Sequence, residues 1–318
     1  MEKLHIGEVI SYLRKKHNLT QQQLSDKICS REYLCKLEKG SFFPTIYTLD
    51  LLSKRLNENI YEFYQEIERH NDIETHLKIQ QINELISSGG DNDLEIRKLI
   101  SEYENLPSFR SGESLQFIYY SKAICSYYID KNYKEAINFS FEGLCVYKKD
   151  FKLENWIDYI YTNVELTLIN LMASSYCRCD DSDTGLLIYH DMLKYLEKYL
   201  SRSLYDIHST GHFYINLYSN VAYNISNKLF AQQKYIEALK TIDNAINISI
   251  RTKYMNIYPS LLKNKFLILY MQQDYENSKK YYNKALIYFE DMLSNDDLTE
   301  LIKMAKEECP NLFLFEQE

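Results

Sequence analysis

The chain has 318 residues, enough for two or more domains, and its 45% hydrophobic content excludes a disordered polymer. Only eight glycines and four prolines are present, which favours long helices over strands joined by tight turns. The formal net charge is −8, so the chain as a whole lacks the basic character of many nucleic-acid-binding proteins.

Seven cysteines are scattered along the chain, and they do not form two clusters with the spacing of a zinc site. The sequence has neither a signal-peptide pattern nor an apolar run near the roughly 18 residues of a membrane span. We therefore expect reduced thiols in a cytoplasmic protein that uses no cofactor and does not associate with a membrane.

Residues 19–40 have the pattern of two short helices joined by a sharp turn. Thr20 and Gln23 form a capping box that starts a helix at Gln21. Ser30 can cap the next helix, and Gly40 is placed to end it. Apolar residues recur at helical spacing within both segments. This arrangement predicts a helix-turn-helix unit.

The second helix of this unit places polar side chains opposite its buried leucines. Together with one residue of the preceding helix, the candidate DNA contacts are Gln21, Ser30, Arg31, Glu32, Tyr33 and Lys36. Arginine and lysine can donate to guanine O6 and N7, and glutamate can accept from cytosine N4. A residue at a helix N-terminus, such as Gln21, is suited to a phosphate contact. The alternative is that these are ordinary solvated side chains.

The charge of the chain is unevenly distributed. Residues 1–60 contain ten Lys and Arg against seven Asp and Glu, a net charge of +3. Since the whole chain has a net charge of −8, the remaining residues have a net charge of −11. The DNA-facing charge is therefore concentrated in the N-terminal unit. Because +3 implies modest non-specific affinity, we expect a dimer to supply the rest of the binding.

The N-terminal pattern resembles the helix-turn-helix of the phage-repressor and XRE class. The resemblance rests on Thr20-Gln21, Leu24, Ile28, Ser30-Arg31, Leu34, Leu37-Glu38 and Gly40-x-x-x-Pro44. It implies that Gln21 contacts a phosphate and that Arg31, Glu32 and Lys36 read bases. It also implies that Glu38 pairs with Arg14 of helix 1 as part of the scaffold.

The turn departs from the common Leu-Gly-Val type, because Ile28-Cys29-Ser30 is one residue shorter. This turn resembles that of the peptide-responsive regulators of the RRNPP group, and within it the PlcR type. The resemblance implies a homodimer that binds a near-palindromic double-stranded operator and a short signalling peptide that binds in a groove of the C-terminal region.

Further helices are expected at about Ile6 to His17, from Pro44-Thr45 onward, and at Ile60 to Glu68. The expected domains are residues 1–69 for DNA binding, 70–90 for a linker helix, and 91–318 for helical repeats. The fold class we predict is all-α, with a five-helix XRE-type domain followed by a tetratricopeptide-like α-solenoid.

Internal repetition supports the solenoid. Tyr133, Tyr235 and Tyr275 each begin a helix after a short turn that follows an aromatic-rich helix. The irregular spacing places a diverged repeat at residues 163–175 and 184–199. Residues 298–306 are expected to form a capping helix. Stacked repeats of this kind give a concave surface.

Asparagine can donate to and accept from a peptide backbone at the same time, so an asparagine-lined surface can hold an extended peptide. Alignment of the repeats places five candidate peptide contacts on the inner face: Asn170, Asn220, Tyr223, Asn227 and Lys263. Asn224, on the same helix as three of them, is a sixth candidate. Asn224 also occupies a position where the repeat consensus itself often has asparagine, so a scaffold role is an equal alternative.

The sequence shows no catalytic set, and an enzyme is the least expected class. His208 and His212 have helical i, i+4 spacing, but no acidic residue between them completes a known metal motif. Two further alternatives stay open: a repressor that needs no peptide, and a repeat scaffold that binds a protein partner.

Overall fold

The computed structural model describes residues 4–70, 72–88, 92–179, 181–202 and 210–313. Every regular element within these ranges is a helix, which confirms the all-α class. Contacts divide the chain into two compact units, Met1–Asp130 with Glu142–Asp150 and Lys131–Phe141 with Phe151–Glu318. The functional boundaries expected near residues 70 and 90 stay a prediction.

The helices of the first unit are α1 Ile6–Lys16, α2 Gln21–Ser25, α3 Arg31–Glu38, α4 Ile46–Leu56, α5 Ile60–His70, α6 Ile73–Ser88, α7 Asp93–Tyr103 and α8 Gly112–Ile124. A π-helical turn, Cys125–Ile129, continues α8. The next helix, α9 Tyr133–Cys145, contributes residues to both units.

The second unit continues with α10 Asn163–Arg178, α11 Ser182–Arg202, α12 Thr210–Ala231, α13 Tyr235–Thr252, α14 Tyr258–Met271, α15 Tyr275–Met292 and α16 Asn295–Glu308. Consecutive helices pack in pairs, and α12 also contacts α10 and α14. The helices predicted to start at Tyr133, Tyr235 and Tyr275 do so. The capping helix is longer than predicted because Ser294 and Asp297 form a capping box ahead of it.

Helices α1 to α5 enclose one apolar core, and its members are buried as their spacing predicts. Val9, Ile10 and Leu13 of α1 meet Leu34 and Leu37 of α3 with no exposed surface. Gly7 permits the closest approach, because a Cβ there would lie 1.9 Å from the carbonyl oxygen of Leu37. The backbones of α1 and α3 are therefore in direct contact.

The turn of the helix-turn-helix differs from the prediction. Helix α2 ends at Ser25 and does not continue to Ile28, and the left-handed residue is Lys27, with φ of 57°. The amides of Ile28 and Cys29 both donate to the Ser25 carbonyl, at 2.9 and 3.0 Å. The turn is thus Asp26-Lys27-Ile28, so its expected position at Cys29 was wrong. Ile28 still packs against the core from outside the helix.

Two histidines lie where α5 meets α6. His76 is 4% exposed, its ring centroid is 5.4 Å from that of Phe63, and the His70 ring is 5.7 Å away. Both ring nitrogens of His76 and Nδ1 of His70 are buried without a hydrogen-bond partner among the described residues. Glu66 Oε2 lies 4.0 Å from His76 Nε2, too far for a hydrogen bond.

This environment disfavours protonation of both rings. Burial lowers the pKa of His70 to about 4, with smaller contributions from the charges of His76 and Arg69. Burial also lowers the pKa of His76. The unfolded chain therefore takes up protons near the ordinary histidine pKa of about 6.5, while the folded chain resists them.

We expect the first unit to lose stability as the pH falls from about 6.5 towards about 4, because protons then bind the unfolded state preferentially. His76→Phe removes two unpaired nitrogens and should reduce this loss, with an unfolding free energy at pH 7 equal to or about 1 kcal/mol above wild type. Thermal unfolding at pH 7 and pH 5 measures the effect. His190→Phe, at an exposed position, is the control, and an equal acid response of both variants would contradict the prediction.

Candidate functional site

A buried ion pair connects the first three helices. Arg14 of α1 donates from Nε to Glu38 Oε1 at 2.6 Å and from NH2 to Oε2 at 2.9 Å, and from NH1 to the Leu19 carbonyl at 2.8 Å. The Gln21 amide donates to Glu38 Oε2 at 2.9 Å. The scaffold pair predicted from the resemblance is therefore present, and it also engages Gln21.

The pair is held in its ionised form. The Arg14 and Glu38 side chains are only 11% and 6% exposed. Burial alone would raise the pKa of Glu38, but hydrogen bonds from Arg14 and Gln21 and the guanidinium charge bring it below its usual value. The hydrogen bond to Glu38 likewise raises the pKa of Arg14. Both side chains thus stay charged at neutral pH.

A second arginine fixes the turn between α2 and α3. Arg55 of α4 donates to the carbonyl oxygens of Gln23 and Asp26, each at 2.9 Å. These carbonyls lie at the C-terminal end of α2, where the last acceptors of a helix have no partner inside it. Arg55 supplies the missing donors. Sequence reasoning missed Arg55, because nothing local in the α4 sequence indicates a partner about 30 residues earlier.

The outward face of α3 carries three of the predicted DNA contacts. Arg31, Glu32 and Lys36 are exposed. Ser30 is exposed as the N-cap, and its hydroxyl accepts from the Tyr33 amide at 3.1 Å. A depression of about 330 Å³ on this face is lined by Ser30, Glu32, Tyr33, Lys36 and Phe42.

Tyr33 and Gln21 make more contacts within the domain than predicted. Tyr33 is half-buried, with its ring centroid 4.7 Å from that of Phe42, so only part of it faces outward. Gln21 is half-buried and uses one amide hydrogen on Glu38. Its second amide hydrogen can still donate to a phosphate oxygen, and that contact stays a prediction.

In the second unit, helices α10, α12 and α14 each expose one face of largely uncharged polar side chains at helical spacing. We name this surface the polar stripe and define it as Thr167, Asn170, Ser174, Asn216, Asn220, Tyr223, Asn227, Ser260, Lys263 and Leu267. The residues between them are mostly buried, as expected when the opposite faces pack on neighbouring helices.

Side-chain hydrogen bonds fix the register of the three helices. The Tyr189 hydroxyl, on α11, meets the Ser174 hydroxyl at 2.5 Å and accepts from the Asn224 amide at 2.9 Å. Asn264 of α14 donates to Ser226 Oγ at 2.8 Å and Asn227 Oδ1 at 2.7 Å. Asn170 is therefore level with Asn220, and Lys263, which precedes Asn264, is level with Ser226 and Asn227.

The predicted peptide contacts have different environments. Asn227 is exposed, and its oxygen accepts from Asn264. Asn220 donates to the Asn216 carbonyl of its own helix at 3.0 Å. Asn170 Oδ1 is buried with no hydrogen-bond partner among the described residues. An acceptor in that condition costs about 1–3 kcal/mol until a donor reaches it.

Asn224 has a structural role. Its amide is committed to the Tyr189 hydroxyl, which is part of the packing of α12 on α11. The scaffold alternative raised by the repeat pattern is therefore present in the structure, and a contact of Asn224 with a peptide stays a prediction. Its neighbour Tyr223 is half-buried on the polar stripe.

No group of three or more His, Cys, Asp or Glu side chains in the described ranges is arranged to hold a metal ion. His208, which the sequence pairs with His212 at i, i+4 spacing, lies outside the described residues. None of the described helices combines the length and hydropathy needed to cross a bilayer.

Comparison with known proteins agrees with the geometry of α1 to α5. Residues 10–63 match a family model described as Helix-turn-helix. The chain carries a helix-turn-helix domain. The match covers the four elements joined by the Arg14–Glu38 pair and the Arg55 hydrogen bonds. A search of curated protein sequences finds no match.

Solved structures match over nearly the whole chain. PlcR of Bacillus thuringiensis, solved with the peptide PapR7 and DNA, is 22% identical, with 96% of this chain and 98% of that chain covered and a TM-score of 0.62. Its apo form is 21% identical, with 93% and 98% covered and a TM-score of 0.58. A protein of Listeria monocytogenes EGD-e is 16% identical, with 96% of this chain and 98% of that chain covered and a TM-score of 0.54. The chain thus shares its all-α fold with these proteins.

Loss of the buried pair should be costly. Glu38→Ala leaves the Arg14 guanidinium buried without its carboxylate and should lower the free energy of unfolding by about 3 kcal/mol. Glu58→Ala is the control, because Glu58 pairs with Lys16 at 3.6 Å and Lys16 is 52% exposed, so its loss should cost less than about 1 kcal/mol. Denaturant unfolding followed by circular dichroism measures both, and equal costs would show that the Arg14–Glu38 pair contributes no special stability.

Proposed function

We propose that the protein is a DNA-binding transcription regulator whose affinity for its operator is controlled by a short peptide bound on the polar stripe. The protein would act as a homodimer and place two copies of α3 in successive major grooves of a near-palindromic site. Peptide binding would change the angle between the two DNA-binding domains, which couples the two sites energetically.

The observation that carries this proposal is the contrast between the two faces of α3. Its inner face is fixed by apolar contacts with α1 and by the Arg14–Glu38 pair. Its outer face presents Arg31, Glu32 and Lys36 to solvent. A rigidly held helix with exposed donors and acceptors suits base reading, because misplacement of a reading side chain removes its specificity.

The polar stripe supports the second half of the proposal. Its asparagines can hydrogen-bond a peptide backbone at both N–H and C=O, and the unpaired Asn170 oxygen would gain a donor from such a ligand. PlcR, with which the chain shares its fold, was solved with a peptide and DNA. We further propose that the protein works in the cytoplasm, where operator DNA and an imported peptide meet, and that it catalyses no reaction.

Arg31→Ala tests the assignment of α3 as the reading helix. If Arg31 reads one base, the variant should lose about 1–3 kcal/mol of binding free energy and tolerate changes at a single base pair. Fluorescence anisotropy with DNA from the protein's own promoter region and single-base variants of it measures this. Lys240→Ala, at an exposed position on α13, is the control. Equal weakening on all sequences would instead identify Arg31 as a phosphate contact.

The coupling is tested with the same DNA and synthetic C-terminal fragments of any small open reading frame found beside the gene. We expect the peptide to change DNA affinity at least tenfold, which is about 1.4 kcal/mol of coupling free energy. Asn170→Ala should abolish this change without altering DNA affinity in the absence of peptide. Asn247→Ala, at an exposed position on α13, should leave the coupling intact.

The other outcomes are informative. Tight operator binding that no peptide alters would favour a repressor that needs no ligand. Absence of specific DNA binding in both conditions would favour a repeat scaffold that binds a protein partner, and it would refute the proposed function.

A further inference from the structure

The helices that carry the polar stripe differ in charge from the rest of the protein. The chain as a whole has 45 Asp and Glu and a net charge of −8. Helices α10, α12 and α14 together contain one carboxylate, Glu165, and four cationic side chains. Glu165 is 1% exposed and accepts from the Thr162 amide at 2.8 Å, so it caps α10 and does not reach the stripe.

Of the four cations, two are committed to packing. Lys228 donates to the Cys177 carbonyl at 2.6 Å, and Lys265 donates to Asp243 at 2.5 Å with its ammonium 4.0 Å from the Tyr281 ring centroid. Arg178 is exposed at the last residue of α10. Lys263 lies within the polar stripe and forms no ion pair with any residue that the structure describes.

The surroundings of Lys263 favour an anionic partner. It is half-buried and level with Asn227 of α12, and Leu267 lies one turn away on the same face. A partly desolvated ammonium without a counter-charge gains more from a carboxylate than one in bulk water, because the local dielectric is lower. No carboxylate of α10, α12 or α14 competes for this position, since Glu165 is buried.

We infer that the ligand of the polar stripe is a peptide whose carboxylate, from an Asp or Glu side chain or from its C-terminus, pairs with Lys263. The asparagines of α10 and α12 hold the peptide backbone without reading its sequence. Lys263 supplies the chemical selectivity, because it is the position on the stripe where a charge on the ligand is favoured. This inference rests on the proposed function and specifies its ligand.

The experiment exposes the full chain to two mixtures of random heptapeptides, one with free C-terminal carboxylates and one with C-terminal amides. Bound peptides are separated by size exclusion and sequenced by mass spectrometry. We expect the retained peptides to be enriched in Asp and Glu, or to come from the free-acid mixture alone, and these two results distinguish the two sources of carboxylate.

Three variants make the test specific. Lys263→Gln should weaken the best retained peptide about tenfold, the effect of losing one charge-assisted hydrogen bond. Lys263→Glu should shift the retained peptides towards Lys and Arg. Lys240→Gln, which removes an exposed ammonium from α13 outside the stripe, should bind as wild type does.

Three results would overturn the inference. Retained peptides could show no bias towards carboxylates, or a bias that Lys263→Gln does not change. Either result would show that Lys263 does not select the ligand, and either would leave the peptide-receptor function standing. Retention of no peptide by any of the four proteins would refute the peptide-receptor function itself, and the inference with it.

Discussion

The ion pair between Arg14 and Glu38 is the constraint on which the N-terminal domain depends. Glu38 is the last residue of α3, so the pair fixes the end of that helix against α1, while Arg14 also binds the Leu19 carbonyl ahead of α2. Taking both charges out of water has a large desolvation cost, which only good geometry and further hydrogen bonds offset. The bidentate contact and the Gln21 amide provide both. The inner face of α3 is therefore held in place, and its outer face is exposed to solvent.

The two units use polar groups in opposite ways. In the first unit the buried charges are paired, and the exposed charges of α3 are of both signs. In the second unit the polar stripe is built mainly from neutral amides and hydroxyls, and the one carboxylate of its three helices, Glu165, is buried away from it. A neutral hydrogen-bonding surface suits ligands of variable sequence, whereas fixed charges of both signs suit a partner with a defined pattern of donors and acceptors.

Local signals were sufficient for the helices and the apolar core. The Thr20–Gln23 capping box and the spacing of Val9, Leu13 and Leu34 each depend on residues a few positions apart, and the structure has them as predicted. The left-handed Lys27 was missed because lysine gives no local signal for positive φ, unlike glycine. Arg55 and Tyr189 were missed for a different reason, since their partners are 15 to 35 residues away in the chain.

The hydrogen bonds of Tyr189 and Asn264 have a consequence for ligand size. They hold α10, α12 and α14 at a fixed stagger, and packed helix axes lie about 9 Å apart, so three helices span about 18 Å between the outer axes. An extended peptide advances about 3.3 Å per residue. A chain that crosses all three helices therefore needs about six residues. If a peptide binds across the stripe as proposed, the number of stacked helices sets the length of peptide that fits, separately from the side chains proposed to select its chemistry.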